Sequence, residues 1–185
     1  MSERFAPGVL VLVVGPSGAG KDTLISHARA VLGAEFCFPK RIVTRAASAH
    51  EDHGSLSPEA FVAAEADGRF ALSWRAHGLS YGLPASICGD VEAGHTVVCN
   101  VSRGAVAQAR QTCEQVRTIY VDATPAIRAA RIAARGREVL LESRVGDERA
   151  LLTADWDVVI DNSHSLASST GAFVAALEAF ARSRR

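Results

Sequence analysis

Within seven residues, Gly15-Pro16-Ser17-Gly18-Ala19-Gly20-Lys21 supplies three glycines, a lysine and a run of backbone amides. This is the G-x-x-x-x-G-K spacing of a phosphate-binding loop. Glycines let successive backbone N–H groups turn inward and approach phosphate oxygens closely. A helix beginning at the lysine adds partial positive charge at its N-terminus. Lys21 adds a full charge on a flexible stem, suited to the outer phosphates of a nucleotide. The residue after the lysine is usually Ser or Thr, whose hydroxyl ligates magnesium. Here it is Asp22, followed by Thr23. Asp22 admits two readings: charge near a metal ion, or an acidic complement to the helix N-terminus.

Other groups of chemical interest are scattered. Arg41, Arg45, Arg75 and Arg103 are cations able to meet anionic ligands, with His77, Ser80 and Tyr81 as neutral partners. Arg45 is the strongest of these. Arg41 and Arg75 read equally well as solvated surface charges. Glu51 and Asp52 fit either sugar hydroxyls or an exposed loop. His50-x-x-His53 has metal-like spacing, but no Cys or third His accompanies it, so a polar loop is expected. Trp74 reads as core. No Ser/His/Asp or Cys/His arrangement for nucleophilic catalysis is evident.

The elements that must position these groups alternate between strand and helix. Residues 9–14 form an unbroken apolar run rich in β-branched side chains, as in a parallel-sheet strand buried on both faces. Leu24, Ile25, Ala28 and Val31 follow at helical spacing, predicting a helix over 21–32. Further strands are expected over 36–43, 70–74, 96–100, 116–121 and 156–160. Ser57-Pro58-Glu59 opens a helix with Ser as N-cap and Pro at its first position. Residues 76–82 read as a loop. Helices are expected over about 84–93, 105–112, 125–135 and 171–182. Arg128, Arg131 and Arg135 share one helix face, and a solvated basic face is the simple reading of Arg128. The pattern is that of an α/β fold with a parallel sheet, whose ligand sits beyond the carboxyl ends of the strands.

Bulk properties narrow the classes. The chain has 185 residues, about one domain. Lys plus Arg and Asp plus Glu balance at 20 each, so no global basic field directs it to nucleic acid. The four cysteines show neither close pairing nor metal-ligand spacing, and a reducing cytoplasm is the expected setting. The first residues lack the apolar core of a signal peptide. No apolar stretch approaches the ~20 residues of a membrane span.

Over nearly its whole length the chain resembles guanylate-kinase-like P-loop kinases. The resemblance lies in Gly15–Lys21, Thr44-Arg45, Glu51, Tyr81-Gly82, Arg135-Gly136, Arg144 and Val159-Ile160-Asp161-Asn162. It implies a three-layer P-loop fold with a five-stranded parallel sheet in one domain, 1–185. The core would be 1–43 and 84–185, with an acceptor-binding lobe at about 44–83 and a lid at about 135–145. Two positions depart from guanylate kinases. Ser48 stands where they carry a second phosphate-binding arginine, and Ser73 where a glutamate reads guanine. Losing one buried hydrogen-bonding reader costs orders of magnitude in selectivity.

That combination is similar to the ribose 1,5-bisphosphate phosphokinase family of phosphonate breakdown. The shared wording is Gly20-Lys21-Asp22, Thr44-Arg45, Glu51-Asp52-His53, Phe70-Ala71-Leu72-Ser73-Trp74, Ala76-His77-Gly78-Leu79-Ser80-Tyr81-Gly82 and Asn100-Val101-Ser102-Arg103. The resemblance implies ATP-dependent phosphorylation of ribose 1,5-bisphosphate to 5-phosphoribosyl 1-diphosphate (PRPP), with Mg²⁺ as cofactor. ATP would be held by Gly15, Pro16, Ser17, Gly18, Ala19, Gly20, Lys21, Asp22 and Thr23. Catalytic charge would come from Lys21 and the lid arginines Arg135, Arg137 and Arg144. The acceptor would meet Arg45, Glu51, Asp52, His77, Tyr81, Ser102 and Arg103. Related kinases often end the central strand in an acidic residue that supports the metal. Here it ends in Asn100, so the metal group becomes Asp22, Thr23 and Asn100. The implied partners are ATP and a small phosphorylated sugar, not nucleic acid or membrane, and a homodimer is an admissible assembly. The alternatives are a guanylate or other nucleoside monophosphate kinase, a small-sugar kinase, and a binding module that has lost catalysis.

Overall fold

The computed structural model describes residues 8–45, 53–76, 78–134 and 155–183. Five strands form the main sheet: β1 (Val9–Val14), β2 (Phe36–Cys37), β7 (Thr96–Asn100), β8 (Val116–Asp122) and β9 (Val158–Asp161). Their order is β2-β7-β1-β8-β9, and each neighbouring pair is parallel. The α/β expectation with a five-stranded parallel sheet therefore holds.

The uninterrupted apolar run of β1 has a direct physical consequence. All six of its residues are buried, because both faces of the central strand are covered. Leu10, Leu12 and Val14 point into one core, together with residues of α3 (Ser86–Glu92) and α4 (Gly104–Thr112). Val9, Val11 and Val13 point into the other, against α1 (Lys21–Val31) and α6 (Leu166–Arg182). Each such Val or Leu contributes about 1.5–3 kcal/mol relative to exposure. The product is helices, sheet and helices in three layers.

A second, four-stranded sheet is ordered β4-β3-β6-β5. It comprises β3 (Ile42–Val43), β4 (Gly54–Ser55), β5 (Phe70–Ala76) and β6 (Leu79–Pro84). The helix α2 (Pro58–Ala66) precedes β5, and its N-cap is as expected: the Ser57 hydroxyl accepts from the Ala60 N–H at 3.2 Å. Leu72, Trp74 and Leu83 of this sheet lie in the same core as Leu10, Leu12 and Val14.

Several boundaries differ from expectation. The strand expected over 36–43 is two strands in different sheets. Pro39 has no N–H to give to a ladder, and there the chain leaves the main sheet. The loop expected over 76–82 is largely β6, antiparallel to β5 in a hairpin whose turn contains Gly78 at φ 72°. Accordingly β5 runs on to Ala76. The last strand begins at Val158 rather than 156. The last helix starts at Leu166, five residues before 171, because the Ser165 hydroxyl caps it by accepting from the Ser168 N–H at 3.2 Å. The remaining helix, α5 (Pro125–Ala134), begins at the expected proline.

Candidate active site

The phosphate loop leaves β1 at the carboxyl edge of the sheet and enters α1 at Lys21. Three of its residues take backbone conformations open to glycine: Gly15 at φ 144°, Gly18 at φ 79° and Gly20 at φ 94°. Space is closed there as well. A Cβ on Gly15 would lie 2.0 Å from the Val121 carbonyl oxygen of β8, and one on Gly20 would lie 2.3 Å from Asn162 Nδ2. The motif's glycines are thus demanded by the neighbouring strand and by Asn162.

Lys21 folds over the loop it follows. Its Nζ donates to the carbonyl oxygens of Gly15 at 2.8 Å and Pro16 at 2.9 Å. This places the ammonium above the amide cradle, where outer phosphates of a nucleotide arrive.

Two residues that the motif does not contain hold the loop from outside. Buried Asn162 follows β9, and its Nδ2 donates to the Ala19 carbonyl at 2.8 Å. Arg131 of α5 donates from Nη1 to the carbonyls of Gly18 (3.4 Å) and Ala19 (3.3 Å), and from Nη2 to that of Asn162 (3.0 Å). The family-like Val159–Asn162 wording pointed to Asn162, and a helical face of arginines was visible around Arg131, but neither signal gave a role. Arg128 is a correction. It is not part of a solvated face: its side chain is only 15% exposed and sits 4.0 Å from the Asp122 carboxylate.

Asp22 and Asn100 meet, although 78 residues separate them. Asn100 Nδ2 donates to Asp22 Oδ1 at 2.6 Å. The other amide atom, Asn100 Oδ1, is buried and has no hydrogen-bond partner among the described residues. A carboxylate and an orphaned amide oxygen side by side at the mouth of a phosphate loop are hard oxygen donors, the set that suits Mg²⁺. Thr23, the third member of the expected metal group, is exposed on α1.

Next to that pair lies a cavity of about 250 Å³, lined by Asp22, Ile25, Ser26, Arg29, Pro39, Arg41, Val98 and Asn100. Arg41 is therefore not simply a surface charge. Its guanidinium lies over the Tyr81 ring at 5.9 Å, and that ring stacks on Trp74 at 5.4 Å and 7°. Trp74 is core, 9% exposed. The stack props a cation at the cavity wall from a rigid base. Arg29 of α1 also lines the cavity, and its guanidinium lies over the Phe38 ring at 5.8 Å. Neither arginine carries a motif, because the cavity is assembled from α1, the segment after β2 and the end of β7.

Arg45, the strongest acceptor candidate, lines a different, open hollow of about 380 Å³ with Thr44, Ser55, Leu56, Ser57 and Pro58. Arg103 is exposed at the start of α4, and Ser102 is half-buried beside it. Ser48, Glu51, Asp52, His77, Arg135, Arg137 and Arg144 lie outside the described residues, as does the whole expected lid. Ser73 is committed elsewhere: its hydroxyl donates to Glu65 Oε1 of α2 at 2.5 Å. The same carboxylate pairs with Arg75 at 2.6 Å. Arg75, first, and Ser73 hold the Glu65 carboxyl below its ordinary range. Arg75 is thus neither solvated alone nor aimed at the cavity.

No protein-family model matches the chain. Among solved structures, a guanylate kinase from Anaplasma phagocytophilum superposes with a TM-score of 0.65 at 17% identity, covering 94% of this chain and 86% of that one. A gluconokinase from Sinorhizobium meliloti gives 0.52 at 19% identity, covering 97% and 96%. At these identities the likeness speaks for the fold. Sequence relatives are much nearer. The ribose 1,5-bisphosphate phosphokinase PhnN of Methylobacterium radiotolerans is 51% identical over 84% of this chain and 86% of its own length. Those of Acidiphilium cryptum and Rhodopseudomonas palustris are 46% and 49% identical, over 92% and 87% of this chain and 92% and 84% of theirs. With the phosphate loop, the Asp22–Asn100 pair and this degree of identity in place, the chain belongs to the ribose 1,5-bisphosphate phosphokinase PhnN family.

Proposed function

We propose that the chain transfers the γ-phosphoryl group of ATP to the 1-phosphate of ribose 1,5-bisphosphate, yielding PRPP and ADP. The observation that carries this reading is the cavity beside Asp22 and Asn100, walled by Arg29 and Arg41. It abuts the phosphate loop, and its cations suit an acceptor rich in phosphate. The attacking atom would be an oxygen of the 1-phosphate. It forms the new bond to the γ-phosphorus as the bond from that phosphorus to the β–γ bridging oxygen breaks and ADP leaves. A phosphate oxygen is already anionic near neutral pH, so no strong general base is required. That agrees with the lack of a base–nucleophile pair among the described residues.

Catalysis then reduces to positioning and charge neutralisation. The loop amides and Lys21 hold the donor phosphates. Arg41, fixed on the Tyr81–Trp74 stack, orients an acceptor phosphate, with Arg29 a second cation in the same lining. Arg45 and the residues of 44–83 belong to the acceptor side, together with Ser102 and Arg103. By family resemblance, Arg135, Arg137 and Arg144 would attend the transferring group. Mg²⁺ would be held by Asp22 and Asn100, with Thr23 at hand, and when bound it would neutralise charge on the β- and γ-oxygens. Asp22→Asn is expected to shift the magnesium concentration giving half-maximal rate upward by ~3–10-fold, since ligand charge sets affinity for a hard cation. The KM for ATP should move less. An unchanged magnesium curve would remove Asp22 from the metal.

The setting would be the cytoplasm, within phosphonate degradation. All four cysteines are unpaired thiols, as a reducing compartment keeps them. Among the described residues no helix is long and apolar enough to cross a membrane.

The deciding experiment is an acceptor screen. Purified protein, magnesium and ATP are incubated with ribose 1,5-bisphosphate or GMP, following ADP release and confirming the diphosphate product by mass. We expect the sugar bisphosphate to be preferred by ~100-fold or more in kcat/KM, because Ser73 is bonded to Glu65 and offers no carboxylate to guanine. Arg41→Ala should raise the acceptor KM by about tenfold, the loss of one charge-assisted contact. Turnover of GMP at a comparable rate would overturn the acceptor assignment while leaving a kinase.

A further inference from the structure

The edge strand β2 is two residues long and, among the described residues, pairs with β7 alone. Its second residue, Cys37, lies opposite Val97. Immediately before β7, helix α3 ends in a tight turn. Gly94 takes φ 88° and donates to the Val91 carbonyl at 3.0 Å, and His95 N–H donates to the Asp90 carbonyl at 3.0 Å. This six-to-one and five-to-two pattern is a Schellman motif. It places the third residue from the helix end and the second residue past the C-cap Ala93 side by side, a contact usually made by two apolar side chains. Here they are Asp90 and His95. The turn is anchored on both flanks: the His95 carbonyl accepts from Val9 N–H at 3.1 Å, and the Glu35 carbonyl accepts from Thr96 N–H at 2.9 Å.

The topology thus brings three ligand-bearing side chains to one half-buried spot. The Cys37 sulfur, an Asp90 oxygen and a His95 ring nitrogen all lie within 4.8 Å of one another. A tetrahedral Zn²⁺ shell built from ordinary bond lengths separates such atoms by about 3.5 Å. Side-chain rotation covers the difference. His95 Nδ1 is buried with no hydrogen-bond partner among the described residues, which is costly unless something occupies that lone pair or proton.

We propose that Cys37, Asp90 and His95 form a three-ligand site for a borderline-soft divalent cation of the Zn²⁺ class, with the fourth position left to water. The mixed sulfur, nitrogen and oxygen set selects against Mg²⁺, which takes oxygen donors. The site is therefore distinct in chemistry from the Asp22–Asn100 pair. It is also distinct in place, since Cys37 pairs with Val97 near the start of β7, whereas Asn100 ends that strand. Its effect would be to fasten the short edge strand to the end of α3. Two residues beyond Cys37 is Pro39 and four beyond is Arg41, both lining the cavity, so the clamp would steady the segment that presents Arg41. This inference does not depend on the proposed acceptor.

The test uses the full chain, stripped with chelator, exchanged into metal-free buffer either alone or with excess Mg²⁺ added, and titrated with Co²⁺. One equivalent should produce the near-ultraviolet thiolate-to-cobalt charge-transfer band, and Zn²⁺ should abolish it by displacement. Cys37→Ser should lose the band, and His95→Gln should weaken binding on the order of 10–100-fold. Cys113→Ser should leave both unchanged. Circular dichroism checks that each variant is folded, and Cys37→Ala, which likewise removes the thiolate, replaces Cys37→Ser if the latter is not. A wild-type chain with no such band, a band that survives Cys37→Ser, or a band that Mg²⁺ suppresses would overturn the proposal.

Discussion

Replacing Lys21 with Met is expected to lower kcat/KM for ATP-dependent transfer by ~10²–10³-fold, the range for removing one preorganised donor aimed at charge that develops in a transition state. Methionine keeps most of the stem and removes the ammonium that now bridges the Gly15 and Pro16 carbonyls. Stability should fall by no more than about 1 kcal/mol, because the two lost bonds are partly water-accessible and the carbonyls can be solvated. Steady-state kinetics and a thermal melt on the same preparation separate the two effects. Arginine should not rescue, since its planar fork does not reproduce a compact three-donor head at this spot. Full activity in either variant would mean that the loop amides alone hold the outer phosphates.

Gly15→Ala should have the largest effect on the fold. The new methyl would meet the Val121 carbonyl oxygen at 2.0 Å, and that atom is main chain in the buried strand β8. Relief requires moving either the loop or the sheet. At φ 144° the alanine is also in a region that L side chains rarely adopt. Together these predict a loss of roughly 2–4 kcal/mol. In a chain of this size that is a fall in Tm of ~5–15 °C. A matched substitution at Gly89, where a Cβ meets nothing within 4 Å, should be neutral or slightly stabilising, being helical. Equal melts for the two variants would refute the steric argument.

How far the sequence spoke depends on whether the signal was local. The strand, loop and helix from Val9 to Val31 were legible because burial on both faces leaves one unbroken apolar run. The Ser57 cap and the Pro125 start are likewise local chemistry. Residues 36–43 misled because two short strands of two sheets, joined through Pro39, Lys40 and Arg41, read as one strand; Pro39 was the sign of the break. The strand β6 was hidden by Gly78 and Gly82, and it exists because β5 and β3 lie on either side of it. The site divides in the same way. The phosphate loop is a contiguous motif. The cavity is not, so Arg29 drew no notice in the sequence and Arg41 read equally well as an acceptor cation or a solvated surface charge, and the contact between Asp22 and Asn100 is a product of β1 and β7 lying side by side. Ser73 was read as a missing guanine reader. Its bond to Glu65 adds the physical reason it cannot be recruited to that task.

Leu72, Trp74 and Leu83 of the second sheet are packed into the core that β1 helps to form, and each is 9% exposed or less. Swinging that sheet outward would bring three large apolar side chains into water, at about 1.5–3 kcal/mol apiece for residues of this size. The wall that carries Tyr81, and Arg41 upon it, is therefore set when the chain folds rather than when a substrate arrives. Its entropy of ordering is spent once, in folding, so under the proposed reading an acceptor meets a surface whose shape has already been decided.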